Sequence, residues 1–76
     1  LQLLALSYNN ISEIPPEIGA LINLRLLYLN HNNISVIPPE IRALVNLQWL
    51  HLSGNQISPT SDTITDLQGR RVKIYI

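Results

Sequence analysis

The chain contains no cysteine, which removes disulfide frameworks, thiolate metal sites and cysteine nucleophiles together and makes a reducing, cytoplasmic setting the expected one. Glycine is scarce as well: Gly19, Gly54 and Gly69 are the only three, too scattered to form a loop that cradles phosphate. Charge is sparse, at 13% of residues, and the five basic and five acidic side chains cancel. No net field therefore draws in a nucleic acid or an anionic membrane. No apolar run approaches the ~20 residues that span a bilayer, and no charged stretch precedes an apolar one as in a signal peptide, so no membrane insertion is expected. What the chain does have is 46% apolar residues in a length of 76. That excludes disorder and leaves room for one small core, about half a typical domain.

Residues 1–23, LQLLALSYNNISEIPPEIGALIN, and 24–46, LRLLYLNHNNISVIPPEIRALVN, align without a gap and are identical at 16 of 23 positions. Self-similarity at such a period means stacked copies of one small unit. A third copy over 47–69 keeps Leu50, Leu52, Asn55 and Ile57 in phase. It then replaces the Ile-Pro-Pro-Glu-Ile stretch, although Ile64 and Leu67 hold the phase of Ile18 and Leu21. The tail 70–76 fits a fourth copy when one residue is inserted, which aligns Ile74 and Ile76 with Leu4 and Leu6. Residues 1–76 thus read as one repeat segment with a partial capping strand. It opens on Leu1 in mid-pattern, so the expectation is a piece of a longer protein. An edge strand left bare invites pairing, and upstream repeats or another chain are expected to cover it.

Leu4 with Leu6, Leu27 with Leu29 and Leu50 with Leu52 alternate at period two, so each pair marks a short strand with one face turned inward. Asn9, Asn32 and Asn55 stand just past each strand, where a side-chain amide can satisfy backbone groups opened by a tight bend. Pro15-Pro16 and Pro38-Pro39 end the strand region and start a helical turn, with Glu17 or Glu40 favourable in its first turn. Ile18 with Leu21, and Ile41 with Leu44, have the i, i+3 spacing of a one-sided helix. Ser61 or Asp62 is expected to cap a helix over roughly residues 62–68, with Gly69 ending it. The basic residues Arg70, Arg71 and Lys73 read as an edge-protecting cap.

The pattern LxxLxLxxNxI, at Leu1, Leu4, Leu6, Asn9, Ile11 and again at Leu24, Leu27, Leu29, Asn32, Ile34, resembles the leucine-rich repeat, and the resemblance covers the whole chain. The 23-residue unit with Ile-Pro-x-x-Ile-x-x-Leu is similar to the class found in intracellular scaffolds associated with small GTPases and in many bacterial and plant proteins. It implies an α/β fold: a right-handed solenoid with a parallel sheet on its concave side and short helices outside. It is specific for fold far more than for function.

In such a solenoid the inward leucines are structural, and recognition falls to the intervening positions that face the concave side. Read down the columns, these are Leu3, Leu26 and Trp49; Ala5, Tyr28, His51 and Tyr75; Ser7, Asn30 and Ser53; Tyr8, His31 and Gly54; with Gln2, Arg25 and Gln48 at the margin. Adjacent strands lie ~4.8 Å apart, so Leu26, Tyr28, Trp49 and His51 are expected to anchor a protein or peptide. Tyr8, Arg25, Asn30, His31 and Tyr75 would supply hydrogen bonds and rim contacts. The alternative is that these aromatics merely tile the outside of a sheet.

Other chemistry finds little support. His31 and His51 fall in different columns about 10 Å apart at ~3.3 Å per residue, too far to share a metal. No G-x-S-x-G elbow is present, and the acids lie away from the histidines, so no catalytic residues and no cofactor are assigned. Asn10-Ile11-Ser12 and Asn33-Ile34-Ser35 match the glycosylation acceptor pattern, the second being the first copied by the repeat; an extracellular setting is the alternative they carry. Ser58-Pro59 reads as a proline-directed phosphorylation site or ordinary turn chemistry. The expected function is a protein-binding module without catalysis, part of a signalling or scaffold protein. The alternatives are a regulatory or targeting arm of a larger enzyme and a structural piece of a large assembly.

Overall fold

The computed structural model describes residues 1–58 and 61–76. Pro59 of the Ser58-Pro59 pair lies outside the described residues. Four strands of three residues each, β1 (Leu3–Ala5), β2 (Leu26–Tyr28), β3 (Trp49–His51) and β4 (Lys73–Tyr75), form one parallel sheet in chain order. Leu3 pairs with Leu26, Leu26 with Trp49 and Trp49 with Lys73. The step between strands is therefore 23, 23 and 24 residues, and the extra residue falls where the sequence requires it.

The middle residue of each strand, Leu4, Leu27, Leu50 or Ile74, points into the core, and its two neighbours point outward. Leu27, Leu29, Leu50 and Leu52 are all but sealed from solvent, whereas Leu4, Leu6 and Ile74 are only partly buried. That gradient follows from the architecture, since each repeat is covered by its neighbours and not by itself. Leu4, Leu6, Ile11 and Leu21 of the first repeat line an open apolar groove with Ile14, Ile18 and Leu29.

The helical turns opened by the proline pairs are 3₁₀ helices, Pro16–Ala20 and Pro39–Ala43. Each starts with proline at its first position and a glutamate in its first turn. Backbone bonds then step in threes: Ile18 N to Pro15 O, Leu21 N to Ile18 O and Leu24 N to Leu21 O. The second repeat copies the series from Pro38 through Ile41 and Leu44 to Leu47. With three residues per turn, i and i+3 eclipse, so Ile18 and Leu21 share one inward face. The two 3₁₀ helices pack so closely that a Cβ on Gly19 would come within 2.8 Å of the Glu40 carbonyl oxygen. Arg42 occupies the corresponding position one repeat later.

The third repeat has no proline pair in that phase, and an α-helix, α1 (Asp62–Gly69), takes the place of the 3₁₀ helix. Ser61 is its N-cap, its Oγ accepting from the Ile64 amide at 3.2 Å, and Ile64 and Leu67 are fully buried. Gly69, expected to end the helix, is instead its last helical residue, and the left-handed position is taken by Arg71 at φ 65°. The Arg71 amide donates to Gln68 O and the Val72 amide to Leu67 O, a Schellman closure with Leu67 and Val72 both buried. Arg71 is thus the inserted residue of the 24-residue step. The neighbouring Arg70 clamps α1 to the second 3₁₀ helix, donating from Nη1 to the Arg42 carbonyl at 2.6 Å and pairing with Asp66 at 3.3 Å.

Candidate binding face

The bend after each strand is held by asparagine. Asn32 Nδ2 donates to Leu29 O at 2.9 Å and Leu6 O at 3.0 Å, while its Oδ1 accepts from the amides of Asn9 and Ile11. Asn55 repeats the arrangement on Leu52 O, Leu29 O and the Ile34 amide. The Asn9 side chain bonds within its own repeat, at Leu6 O and Ser7 O. These amides tie each strand end to the one before it, and so fix the outward columns in register.

On the outward face, Trp49 stacks on Tyr75 with centroids 5.0 Å apart. The Tyr75 ring meets His51 edge to face at 5.4 Å, and His51 meets Tyr28 in the same way at 6.1 Å. Four rings from β2, β3 and β4 therefore form one continuous chain, with Leu26 beside Trp49 in the sheet register. Rings in mutual contact present rigid apolar area at small entropic cost. Ser53 Oγ and His51 Nε2 share a hydrogen bond of 3.0 Å, its direction set by the tautomer. The Trp49 indole nitrogen is covered and, among the described residues, has no acceptor.

Sequence alone marks Lys73 only as part of a basic cap. In the structure it lies in the Trp49 column and holds its ammonium 5.8 Å from that ring's centroid. The one-residue insertion that aligns Ile74 with Leu50 also aligns Lys73 with Trp49, so the signal is present in the sequence. Asn30, expected on the rim, is 8% exposed, and its Oδ1 accepts from the Ser7 hydroxyl at 2.6 Å. Its side chain ties the second repeat to the first. Arg25 is exposed at the margin, one residue before β2.

Tyr8, His31 and Gly54 form a column of another kind, since all three have left-handed backbone, with φ of 59°, 60° and 77°. The Tyr8 and His31 rings stack at 4.4 Å and 12°, and the His31 ring packs over Gly54. Tyr8 and His31 thus lie apart from the four-ring chain, at the end of the strands. Among the described residues no group of three or more His, Asp and Glu side chains is placed to hold a metal, and no helix is long and apolar enough to cross a membrane. Asn10 and Asn33 of the two acceptor patterns are exposed.

A short-stranded parallel sheet on one side and single helical turns on the other, joined by an asparagine ladder, define a repeat solenoid of the leucine-rich type. The leucine-rich repeat family model matches residues 1–57, and the chain belongs to that family. The fold is similar to that of a solved leucine-rich repeat protein of Leptospira interrogans, with a TM-score of 0.88 and 36% identity. The match covers 99% of this chain and 19% of that one, so the chain spans under a fifth of its relative's length. No curated protein matches. Membership indicates a protein–protein interaction module in general, of a fold that is generally non-enzymatic.

Proposed function

We propose that the concave strand face binds a protein or an extended peptide, with Tyr28, Trp49, His51 and Tyr75 as anchors and Leu26, Tyr8, His31 and Arg25 around them. The reading includes a cytoplasmic scaffold or signalling role within a longer protein. The observation that carries it is the unbroken chain of four rings across three strands. Strand register alone brings Tyr28, His51 and Tyr75 together, and the stack of Trp49 on Tyr75 adds a fourth ring out of register; large rigid side chains clustered at the centre of a patch dominate interface energetics. The ladder amides and the buried leucines hold that patch without depending on it.

The test is amide chemical-shift mapping of the chain with a peptide selected against it from a random nine-residue library. Shifts are expected to concentrate in residues 25–31, 48–53 and 73–75. Shifts concentrated instead around Ile22, Val36 and Val45, exposed apolar residues away from the strands, would contradict the proposal.

A further inference from the structure

The charges of this chain are partitioned by the fold. All five acids stand off the sheet: Glu13 in the loop after β1, Glu17 and Glu40 at the starts of the 3₁₀ helices, Asp62 and Asp66 in α1. The sheet's only charged residue is Lys73, and Arg25 flanks it at the margin. Among the described residues the ion pairs are those of Asp66 with Arg42 and Arg70, so neither Arg25 nor Lys73 has a carboxylate partner. The zero net charge of the whole chain conceals a concave face that carries positive charge alone.

Its hydrogen-bonding inventory leans the same way. Lys73 and Arg25 are donors without acceptor capacity. Of the side-chain groups here that could accept, Ser53 Oγ and the Asn30 oxygen are already engaged with His51 and Ser7, while the Tyr28 and Tyr75 hydroxyls and the Gln48 amide can donate as well as accept. We infer that the occupant of this face is an acidic peptide segment, whose Asp or Glu carboxylates pair with Lys73 and Arg25 while an apolar or aromatic side chain rests on the Trp49–Tyr75 stack. This rests on the binding reading above and specifies its chemistry. Two cations are enough to orient carboxylates in a peptide and too few to hold a polyanion such as nucleic acid, whose affinity grows with each phosphate neutralised.

The experiment is selection of the chain against a random nine-residue peptide library at low and at physiological salt. Titration of recovered peptides then follows single-tryptophan emission, which reports the site directly because Trp49 is the chain's only tryptophan. The expected result is enrichment of Asp and Glu, with the affinity of recovered peptides falling about fivefold in an Arg25→Gln/Lys73→Gln variant and falling with added salt. Glu→Gln and Asp→Asn versions of the same peptides should lose a similar factor. Peptides that shift Trp49 emission but show no acidic enrichment, or that bind the double variant equally, overturn this inference and leave the concave site standing. Recovered peptides that bind without affecting Trp49, or a library dominated by basic sequences, overturn it too, the former together with the binding reading itself. Thermal melting of the double variant, expected unchanged, separates loss of binding from loss of fold.

Discussion

Tyr8 and His31 stack ring on ring at 4.4 Å while both hold a left-handed backbone that neither residue adopts without cost. The same position in the third repeat is Gly54, and a Cβ there would come within 2.6 Å of His31 Nδ1. The bend that precedes each ladder asparagine demands this conformation, which costs a bulky residue about 1 kcal/mol or more. The stack offsets part of that cost. A double-mutant cycle on Tyr8→Ala and His31→Ala should give a favourable coupling of about 1 kcal/mol by chemical denaturation. Coupling indistinguishable from zero would show that the rings are neighbours without interaction. Gly54→Ala should destabilise by about 1–3 kcal/mol, from its φ of 77° and the displaced His31 ring together.

The ladder asparagines differ in how much they hold. The Asn32 side chain is 5% exposed and bonds into two repeats, whereas the Asn9 side chain is exposed and bonds within its own. Asn32→Ala leaves several backbone groups without partners, and should cost about 2–4 kcal/mol. Asn9→Ala should cost under about 1 kcal/mol, because water replaces what is lost. Denaturant midpoints of the two variants check the order; equal losses would mean that the amides act through local turn propensity alone.

The C-terminus of α1 gives a prediction of opposite sign. Gly69 lies inside the helix, and a methyl group added there would meet nothing within 4 Å among the described residues, so Gly69→Ala should raise stability by about 0.5–1 kcal/mol. Arg71→Gly should also stabilise, by about 1 kcal/mol, because it relieves a φ of 65°. Were Gly69 the left-handed terminator, its replacement by alanine would lower the melting temperature.

The repeat makes most of the fold legible. Two near-identical 23-residue copies fix strand spacing, and the alternation of leucines fixes which residue of each strand turns inward. The proline pairs fix where helical turns begin. The i, i+3 spacing of Ile18 and Leu21 marks a one-sided helix; the tight period is that of a 3₁₀ turn, which spacing within so short a segment does not separate from α. Gly69 misleads because glycine is the usual left-handed residue at a helix end, yet the chain places it too early and lets Arg71 bear the strain. At the candidate face the columns are legible from phase alone, Tyr75 included. Burial is not: Asn30 is buried although it shares a column with the half-buried Ser7 and Ser53, and its side-chain oxygen accepts from the Ser7 hydroxyl. The row from Tyr28 through His51 to Tyr75 follows from that phase, whereas the stacking of Trp49 on Tyr75, which are not register partners, depends on side-chain rotation that no sequence spacing specifies.

The most direct measurement compares two sets of alanine variants for binding of one library-selected peptide, with melting temperatures taken in parallel. One set removes the rings Tyr28, Trp49 and Tyr75 from the strand face; the other removes Ile22, Val36 and Val45, exposed apolar side chains outside the sheet. A binding face on the strands predicts losses of more than about 1 kcal/mol, roughly fivefold or more in Kd, for Trp49→Ala and Tyr28→Ala with melting temperatures nearly unchanged, and no loss for the second set. Equal affinity in the first set, or losses that track melting temperature in both, would contradict a strand-face binding site.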